Sequence, residues 1–273
     1  MNFSDAFGDE DYFKLCREEA EFGFSEIARV VTRLLSKRGN TALRCLEIGS
    51  GPGLLLGLLQ TRFPNCRFEG IEPVDSGFGK TEAPLAIIAA RANLAIYRCG
   101  YEAFAPTTPY DLVFSVNVFE HVASWREYLT RTHQWLAPGG TSVILCPNYA
   151  FPWEPHFRIP ITLNKPLTRR LFAHAIDRYE RDRDYAGLWA SLNFVKKREV
   201  LSYARAQGLS LYSDDTIMRR MFQRLFTDPE FAERQRSLAG IAKLFYRFGL
   251  TRLLEVPGLR LVAPFMAFNL TKT

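Results

Sequence analysis

The amino-acid sequence predicts an α/β fold in which helices cover both faces of a parallel sheet. Apolar segments of strand length alternate with segments of helical periodicity over the first half of the 273-residue chain. Asp111–Val116 is almost continuously apolar, which is typical of a strand that is buried on both faces. A glycine-rich segment follows the first predicted strand and leads directly into a helix. Together these observations indicate a doubly wound sheet.

The elements of the first half are predicted as follows. An N-terminal helix covers about Asp11–Ser36, where apolar residues recur every three or four positions. Pro138, Gly139 and Gly140 form a stop signal after the last helix of this half. The predicted strands are Arg44–Ile48, Arg67–Ile71, Ala95–Arg98, Asp111–Val116 and Ser142–Cys146, and the helices between them are Leu54–Arg62, Ala83–Asn93 and Ala123–Leu136.

The second half is less regular. Asn148–Pro166 is rich in proline and aromatic residues and is predicted as a loop. The elements predicted after it are helices Thr168–Leu192 and Lys196–Gln207, strand Leu209–Ser213, helices within Thr216–Phe248 and a final strand Leu261–Leu270. We therefore expect residues 1–39 to form an N-terminal helical cap on a domain of residues 40–273. Insertions at about 147–194 and 216–258 are expected to complete that cap.

Composition places the chain among globular proteins. It is 47% hydrophobic and 14% aromatic, which is too apolar for a disordered polymer. Its sequence shows neither a signal peptide nor a membrane-spanning segment. The five cysteines are scattered and form no CxxC pair, which disfavours a disulfide framework or structural zinc. We therefore expect a cytoplasmic protein.

Charge is distributed unevenly along the chain. Residues 1–146 hold 14 Lys/Arg and 17 Asp/Glu, whereas residues 147–273 hold 21 and 12. The basic half is interpreted either as a solvated surface or as a surface that meets an anionic partner. Residues 231–248 have one apolar and one cationic side. An ordinary helix packed on the core is favoured there, and peripheral membrane contact is the alternative.

The clearest motif is LEIGSGPG at residues 46–53, where a strand runs through glycines into a helix. Glycines permit a tight turn and a close approach of a ligand, and the helix start offers free N–H groups. The G-x-G-x-G spacing differs from the G-x-G-x-x-G of dinucleotide-binding folds. Glu72 ends the second strand, where a carboxylate can accept hydrogen bonds from two ribose hydroxyls.

The sequence resembles class I S-adenosylmethionine-dependent methyltransferases, and the subset with quinone and small-molecule O-methyltransferases looks closest. The resemblance is carried by LEIGSGPG (46–53), GIEP (70–73), YDLVFSVNVFEHV (110–122) and LAPGG (136–140). It implies a Rossmann-like doubly wound seven-stranded sheet with an antiparallel last strand, a helical cap and S-adenosyl-L-methionine as cofactor. The cofactor-binding residues that it implies are Glu47, Gly49, Ser50, Gly51, Gly53, Glu72, Pro73, Tyr101, Glu102, Val116 and Asn117.

The resemblance also assigns parts of the cofactor to these residues. The glycines border the methionine part, Glu72 holds the ribose, and Pro73 and Val74 lie near the adenine. Tyr101 or Glu102 borders the base. Val116 and Asn117 lie on the sulfonium side.

The acceptor is expected to be a small molecule or a lipid-linked molecule, with oxygen favoured as the methylated atom. An N- or C-methyltransferase and a cofactor-binding regulatory protein without turnover are the alternatives. The Asn/Asp-Pro-Pro-Tyr/Phe motif does not follow the predicted fourth strand, which disfavours N-methylation of adenine or glutamine. A nucleic-acid partner is likewise disfavoured.

Two histidines are candidate catalytic residues. His121 follows Glu120 after the fourth strand. In the quinone branch such a pair holds a divalent metal together with an acidic residue three positions earlier. That position is Asn117 here, a poorer ligand, so no metal is expected; Glu120 is assigned a structural or helix-capping role, and His121 lines the mouth of the site.

His156 is the second candidate. It follows the fifth strand and lies two residues after Glu154, among prolines and aromatic residues. Two interpretations are open: an acid–base pair in the acceptor pocket, or a rigid lid whose histidine bonds to a backbone carbonyl. Trp153 and Phe157 are expected to serve ordinary packing.

Overall fold

A seven-stranded sheet organises the chain in the computed structural model, which describes residues 3–73, 79–183, 185–229, 232, 240 and 244–273. The strands are β1 (Arg44–Ile48), β2 (Arg67–Ile71), β3 (Ala95–Tyr97), β4 (Tyr110–Val116), β5 (Leu136–Pro147), β8 (Ser210–Ser213) and β9 (Phe265–Thr271). The strand order is β3–β2–β1–β4–β5–β9–β8. Strands β1 to β5 pair in parallel, and β9 is antiparallel to both β5 and β8. The predicted Rossmann-like sheet with its antiparallel last strand is confirmed.

Helices flank the sheet on both faces, as the alternating pattern predicts. They are α1 (Glu10–Lys37), α2 (Leu54–Arg62), α3 (Glu82–Ala92), α4 (Trp125–Trp135), α5 (Lys165–Leu171), α6 (Ala173–Arg183), α7 (Leu188–Ser191), α8 (Lys197–Ala206) and α9 (Ile217–Thr227). Short 3₁₀ segments lie at Ser4–Ala6, Gly79–Thr81, Leu250–Glu255 and Leu259–Leu261. The bounds of β1, α2 and β2 coincide with the prediction. None of the helices described is long and apolar enough to cross a membrane.

The cap region differs from the sequence prediction. The predicted loop 148–166 contains a hairpin of β6 (Trp153–Glu154) and β7 (Ile159–Pro160). The single helix predicted over 168–192 is wrong, since α5, α6 and α7 replace it. Gly187 starts α7 with a left-handed φ of 88°, a conformation that interrupts a helix. Of the helices predicted within 216–248, the structure describes α9, residues 229, 232 and 240, and a helical segment at 244–247; the other residues of 230–243 lie outside the described residues.

Three further boundaries are corrected. The helix predicted from Ala123 begins after Ser124, whose Oγ accepts a hydrogen bond from the Glu127 N–H. Strand β5 begins at Leu136 rather than at residue 142, because Leu136 already pairs with Tyr110 before a register shift. The final strand begins at Phe265, since residues 259–261 form a 3₁₀ turn.

Helix α1 and the cap lie near the carboxyl ends of the strands. A Cβ at Gly23 of α1 would lie 2.6 Å from Leu55 and 3.3 Å from Val116, the last residue of β4. Arg220 of α9 forms an ion pair with Glu26 of α1 at 2.7 Å. The hairpin and α6–α7 enclose a small core of their own, which contains Phe157, Ile176, Leu188, Trp189 and Leu192, among others. The buried position of Phe157 confirms its expected packing role.

Candidate active site

The glycine loop between β1 and α2 turns through three left-handed residues. Gly49, Gly51 and Gly53 have φ values of 69°, 51° and 77°. A Cβ at Gly49 would lie 2.5 Å from Val118, and one at Gly53 would lie 2.9 Å from Leu85. A Cβ at Gly51 would meet nothing within 4 Å. Gly51 is therefore the member of the loop that faces open space.

Glu72, the acid at the end of β2, lies directly beside this loop. The Gly51 N–H donates a hydrogen bond of 2.8 Å to Glu72 Oε2. The N–H groups of Gly49 and Ser50 donate to the carbonyl of Ile71, which fixes the loop over β2. The structure thus brings together the two sequence motifs that predict a nucleotide-type ligand.

Three buried polar atoms near the loop have no hydrogen-bond partner within the described part of the chain. They are Glu47 Oε2, Ser50 Oγ and Asn117 Oδ1. Burial, together with the charge of Glu72, raises the pKa of Glu47 well above its ordinary value. Buried polar atoms without partners are costly and call for a ligand or water. Because the predicted cofactor carries amino, carboxylate and hydroxyl groups, these atoms fit it.

The other predicted cofactor residues differ in accessibility. Tyr101 is buried, its hydroxyl donates to the Ser124 carbonyl, and its ring packs against Tyr128. Glu102 and Pro73 are exposed. Of the two alternatives for the base contact, Glu102 is therefore the more accessible. Val116 lies against α1.

The turn after β4 joins the cofactor loop to the catalytic candidates. The His121 N–H donates to the Val118 carbonyl, and the Val118 side chain lies against Gly49. Asn193 holds this turn: its Nδ2 donates to the carbonyls of Phe119 and Val122. Glu120 and His121 are consequently fixed next to the glycine loop. Sequence reasoning missed Asn193, because no local motif marks a residue that acts from the end of the cap.

The β6–β7 hairpin places His156 beside this turn. The rings of His121 and His156 are 5.1 Å apart between centroids, in a T-shaped arrangement. Glu120 Oε1 lies 4.0 Å from His121 Nε2. One ligand atom from each of Glu120, His121 and His156 lies within 4.8 Å of the others. The two predicted catalytic histidines therefore share one site with a carboxylate.

Burial and charge set the protonation of this cluster. Burial lowers the pKa of His121 to about 3, so its ring is neutral. Burial raises the pKa of Glu120 to about 7, against the opposing influence of His156. Burial opposes a charge on His156, but the hydrogen bond from its Nδ1 to Glu154, at 2.7 Å, and the charges of Glu154, Glu120 and Glu19 together raise its pKa overall.

Two expectations for this region need correction. Glu120 does not cap a helix, since Ser124 caps α4, and neither carboxyl oxygen of Glu120 has a hydrogen-bond partner within the described part of the chain. His156 does not bond to a backbone carbonyl; its partner is the carboxylate of Glu154. The backbone-carbonyl bond expected for a rigid lid is therefore not formed, and the acid–base interpretation of His156 stays a prediction.

Comparison with known proteins agrees with the class that this fold and site define. The strand order and the glycine loop beside a strand-end acid are those of a Rossmann-like ligand-binding domain. A family model described as "Methyltransferase domain" matches residues 20–225. The chain belongs to this family, the class I S-adenosylmethionine-dependent methyltransferases. Membership of the quinone O-methyltransferase subset stays a prediction.

Individual relatives extend the comparison. The chain is 36% identical over 195 residues to the uncharacterised protein Rv1509 of Mycobacterium tuberculosis, covering 70% of this chain and 65% of that protein. It is 26% identical over 164 residues to trans-aconitate 2-methyltransferase of Azoarcus sp., covering 60% and 58%. The chain thus spans less than two thirds of the length of these relatives.

A solved structure supports the fold. The plantazolicin methyltransferase BpumL in complex with S-adenosylhomocysteine has a TM-score of 0.53 at 16% identity, covering 99% of this chain and 94% of that one. At this level of identity the similarity concerns the fold alone.

Proposed function

We propose that the protein transfers a methyl group from S-adenosylmethionine to a small-molecule acceptor, and that the methylated atom is an oxygen. One observation carries the proposal. Val118 packs on Gly49, and the same turn holds Glu120 and His121 against His156. A loop suited to the cofactor and a cluster suited to the acceptor are therefore neighbours.

The cofactor end of the site is assigned to the glycine loop and the strand ends. Glu72 would hold the ribose, and Gly51 would permit close approach because it has no side chain. Glu47, Ser50 and Asn117 would offer their unpartnered polar atoms to the amino-acid part. The bound cofactor supplies a methyl group on a positively charged sulfur. The main task of the chain is therefore to align an acceptor with the bond between this sulfur and the methyl carbon.

The acceptor end is assigned to His121 and His156. Their side chains are 18% and 22% exposed, so a molecule entering from solvent can reach them. A hydroxyl acceptor loses its proton when it gains the methyl group, and the nearby imidazole of His156 can promote that loss. Glu154 positions the His156 ring through its Nδ1. This assignment favours an oxygen over an acceptor that carries no proton to remove.

Lipid-linked acceptors are a second candidate class, supported by the surface of residues 244–262. Phe245, Phe248, Leu253 and Leu259 are exposed large apolar side chains. Arg247, Arg252 and Arg260 are exposed among them. An apolar surface with interspersed cations suits a lipid with an anionic head group. The amphipathic helix predicted over 231–248 lies mostly outside the described residues.

A labelled-methyl transfer assay tests the proposed function. Phenols, quinones, sugars, carboxylic acids, amines and lipids in anionic vesicles are incubated with the protein and S-adenosylmethionine. His156→Ala is expected to lower kcat by about 100-fold or more, the usual contribution of a group that assists proton removal. His174→Ala, at an exposed position on α6, is the matched control and is expected to keep full activity.

Other results would point to the alternatives. Transfer to amines or carbon acids alone would favour an N- or C-methyltransferase. Cofactor binding without transfer to any acceptor would favour a regulatory protein without turnover.

A further inference from the structure

We infer that Glu120, His121 and His156 form a binding site for a divalent transition-metal cation. The ligand atoms that these residues offer favour Zn²⁺. The inference deepens the proposed function, on which the cation's role in catalysis rests; the binding of the cation does not depend on it. The three residues come from two separate elements, the turn after β4 and the hairpin of the cap. Asn117 is not part of the set.

In each histidine a hydrogen bond at Nδ1 leaves Nε2 as the electron-pair donor. Ser191 Oγ donates its only proton to the Leu188 carbonyl at 2.8 Å. It can therefore only accept from His121 Nδ1, which lies 2.8 Å away. His121 consequently carries its proton on Nδ1, and Nε2 keeps a free electron pair.

The position of the ring proton of His156 is also set by a hydrogen bond at Nδ1. Its Nδ1 lies 2.7 Å from the carboxylate of Glu154, and that carboxylate also accepts from the Phe157 N–H and the Tyr149 hydroxyl. The Glu154 carboxylate already accepts from these two donors and acts as an acceptor toward His156 as well, so Nδ1 of His156 carries the proton. In the neutral ring, Nε2 is left with an electron pair. Metal-binding histidines are held in this way, with the second nitrogen bonded to an outer acceptor.

Glu120 supplies the third electron-pair donor. It is 0% exposed, and both carboxyl oxygens are buried without a hydrogen-bond partner in the described residues. One ligand atom from each of the three residues thus lies within 4.8 Å of the others. Electron-pair donors that lie close together at a buried position repel one another. A positive partner, either a shared proton or a metal cation, is needed to stabilise this arrangement.

The donor set favours zinc. Two imidazole nitrogens and one carboxylate, with a fourth position left open, are the ligands of catalytic zinc sites. Tetrahedral zinc with bonds of about 2.0–2.1 Å needs ligand atoms about 3.3 Å apart. Glu120 Oε1 lies 4.0 Å from His121 Nε2, and the three ligand atoms lie within 4.8 Å of one another, so side-chain rotations have to shorten these separations when the cation binds.

The open position gives the cation a role in methyl transfer. A hydroxyl bound there would have a lower pKa, as metal-bound water does. The acceptor's O–H proton then passes to solvent, the new C–O bond forms, and the donor's S–C bond breaks to leave S-adenosylhomocysteine. His121 and His156 would promote proton loss as ligands of the cation rather than as direct proton acceptors.

Metal titration of chelator-treated protein tests the inference. Wild type is expected to bind one Zn²⁺ per chain in calorimetry, and Co²⁺ in its place is expected to give the visible absorption of a tetrahedral site. Glu120→Gln keeps the shape of the side chain and removes its charge, and His156→Ala removes a ligand. Both are expected to weaken Zn²⁺ affinity by at least about 100-fold, and Glu154→Gln by about 10–100-fold, as outer-shell changes do. His174→Ala is the control and should bind Zn²⁺ as wild type does.

Two outcomes would overturn the inference of a cation site, and a third would overturn its role in catalysis. Wild type that binds S-adenosylhomocysteine but no Zn²⁺ or Co²⁺ would show that the cluster shares a proton instead. Zn²⁺ binding that persists in Glu120→Gln and His156→Ala would place the metal elsewhere, for example on cysteines. Methyl transfer that continues in metal-free protein would leave the proposed function standing and remove the cation's role. Far-UV circular dichroism and S-adenosylhomocysteine binding establish that each variant is folded.

Discussion

Gly51 and Gly39 share a left-handed backbone but differ in their surroundings. Their φ values are 51° and 61°, and a Cβ at either would meet nothing within 4 Å. Gly51 borders the proposed cofactor space beside Glu72, whereas Gly39 follows α1, away from the site. The pair therefore separates the cost of backbone strain from the loss of a ligand contact.

Substitution of each glycine by alanine is expected to show this separation. Both Gly51→Ala and Gly39→Ala should lower the free energy of unfolding by about 1 kcal/mol, because alanine disfavours this backbone region. Gly51→Ala should also weaken S-adenosylhomocysteine binding by about tenfold or more, while Gly39→Ala should leave it unchanged. Urea unfolding and calorimetric titration measure the two quantities. Equal affinity of both variants would mean that the ligand does not approach Gly51.

The residues of the site were only partly predictable. The glycines and Glu72 lie in one short motif and at one strand end, so sequence spacing brings them together. The orientation of the His121 ring depends on Ser191, which lies 70 positions later in the chain. A contact of this kind arises from packing of the cap, which has no motif that shows its position.

At the scale of elements, Arg220 links α9 to α1. Its guanidinium binds Glu26 at 2.7 Å and Asp214 at 2.8 Å. Burial opposes ionisation of Asp214, but the hydrogen bonds from Arg220 and Thr216, together with the charge of Arg220, lower the pKa of Asp214 overall. The link fixes the part of the chain before β9 to the N-terminal helix that covers β4.

Arg220→Met is expected to lower the free energy of unfolding by about 2 kcal/mol at pH 7, because it removes charge-assisted hydrogen bonds from two partly or fully buried carboxylates. The pKa of Asp214 is lowered in the fold, so its contribution is complete above its ordinary value of 3.8 and is lost as pH falls below it. The difference from wild type should therefore shrink in acid. Urea unfolding at pH 7 and near pH 3 measures this.

Gln223→Met, at an exposed position of α9, is the matched control and should change stability little. A loss in Arg220→Met that is no larger than in this control would contradict the proposed link between α9 and α1.

Element prediction succeeded where local signals are strong. The bounds of β1, α2 and β2 are set by apolar runs between glycine and proline signals, and they agree with the structure. The prediction of one helix over 168–192 was wrong. Its charged residues fit a helical period, but the left-handed backbone of Gly187 interrupts the helix. The β6–β7 hairpin was missed because each strand has only two residues, too few for a periodic pattern.

At the scale of the whole molecule, the sheet order and the methyltransferase-domain match give one consistent account. The division into a cap of residues 1–39 with insertions and a domain of residues 40–273 remains a proposal. It agrees with the separate small core of the cap and with α1 lying over the end of β4. The excess of basic residues in the second half remains unassigned, apart from the surface at 244–262.

The account as a whole depends on cofactor binding at the carboxyl ends of β1 and β2. Calorimetric titration of wild type with S-adenosylhomocysteine, beside Glu72→Ala and Glu72→Gln, tests this most directly. Glu82→Ala, at an exposed residue of α3, is the control. One site per chain is expected, with affinity lower by about tenfold or more in both Glu72 variants, since a hydrogen bond to a charged group contributes about 1.5–3 kcal/mol. Folded wild type that binds neither S-adenosylmethionine nor S-adenosylhomocysteine, or Glu72 variants that bind as tightly as the control, would contradict the account.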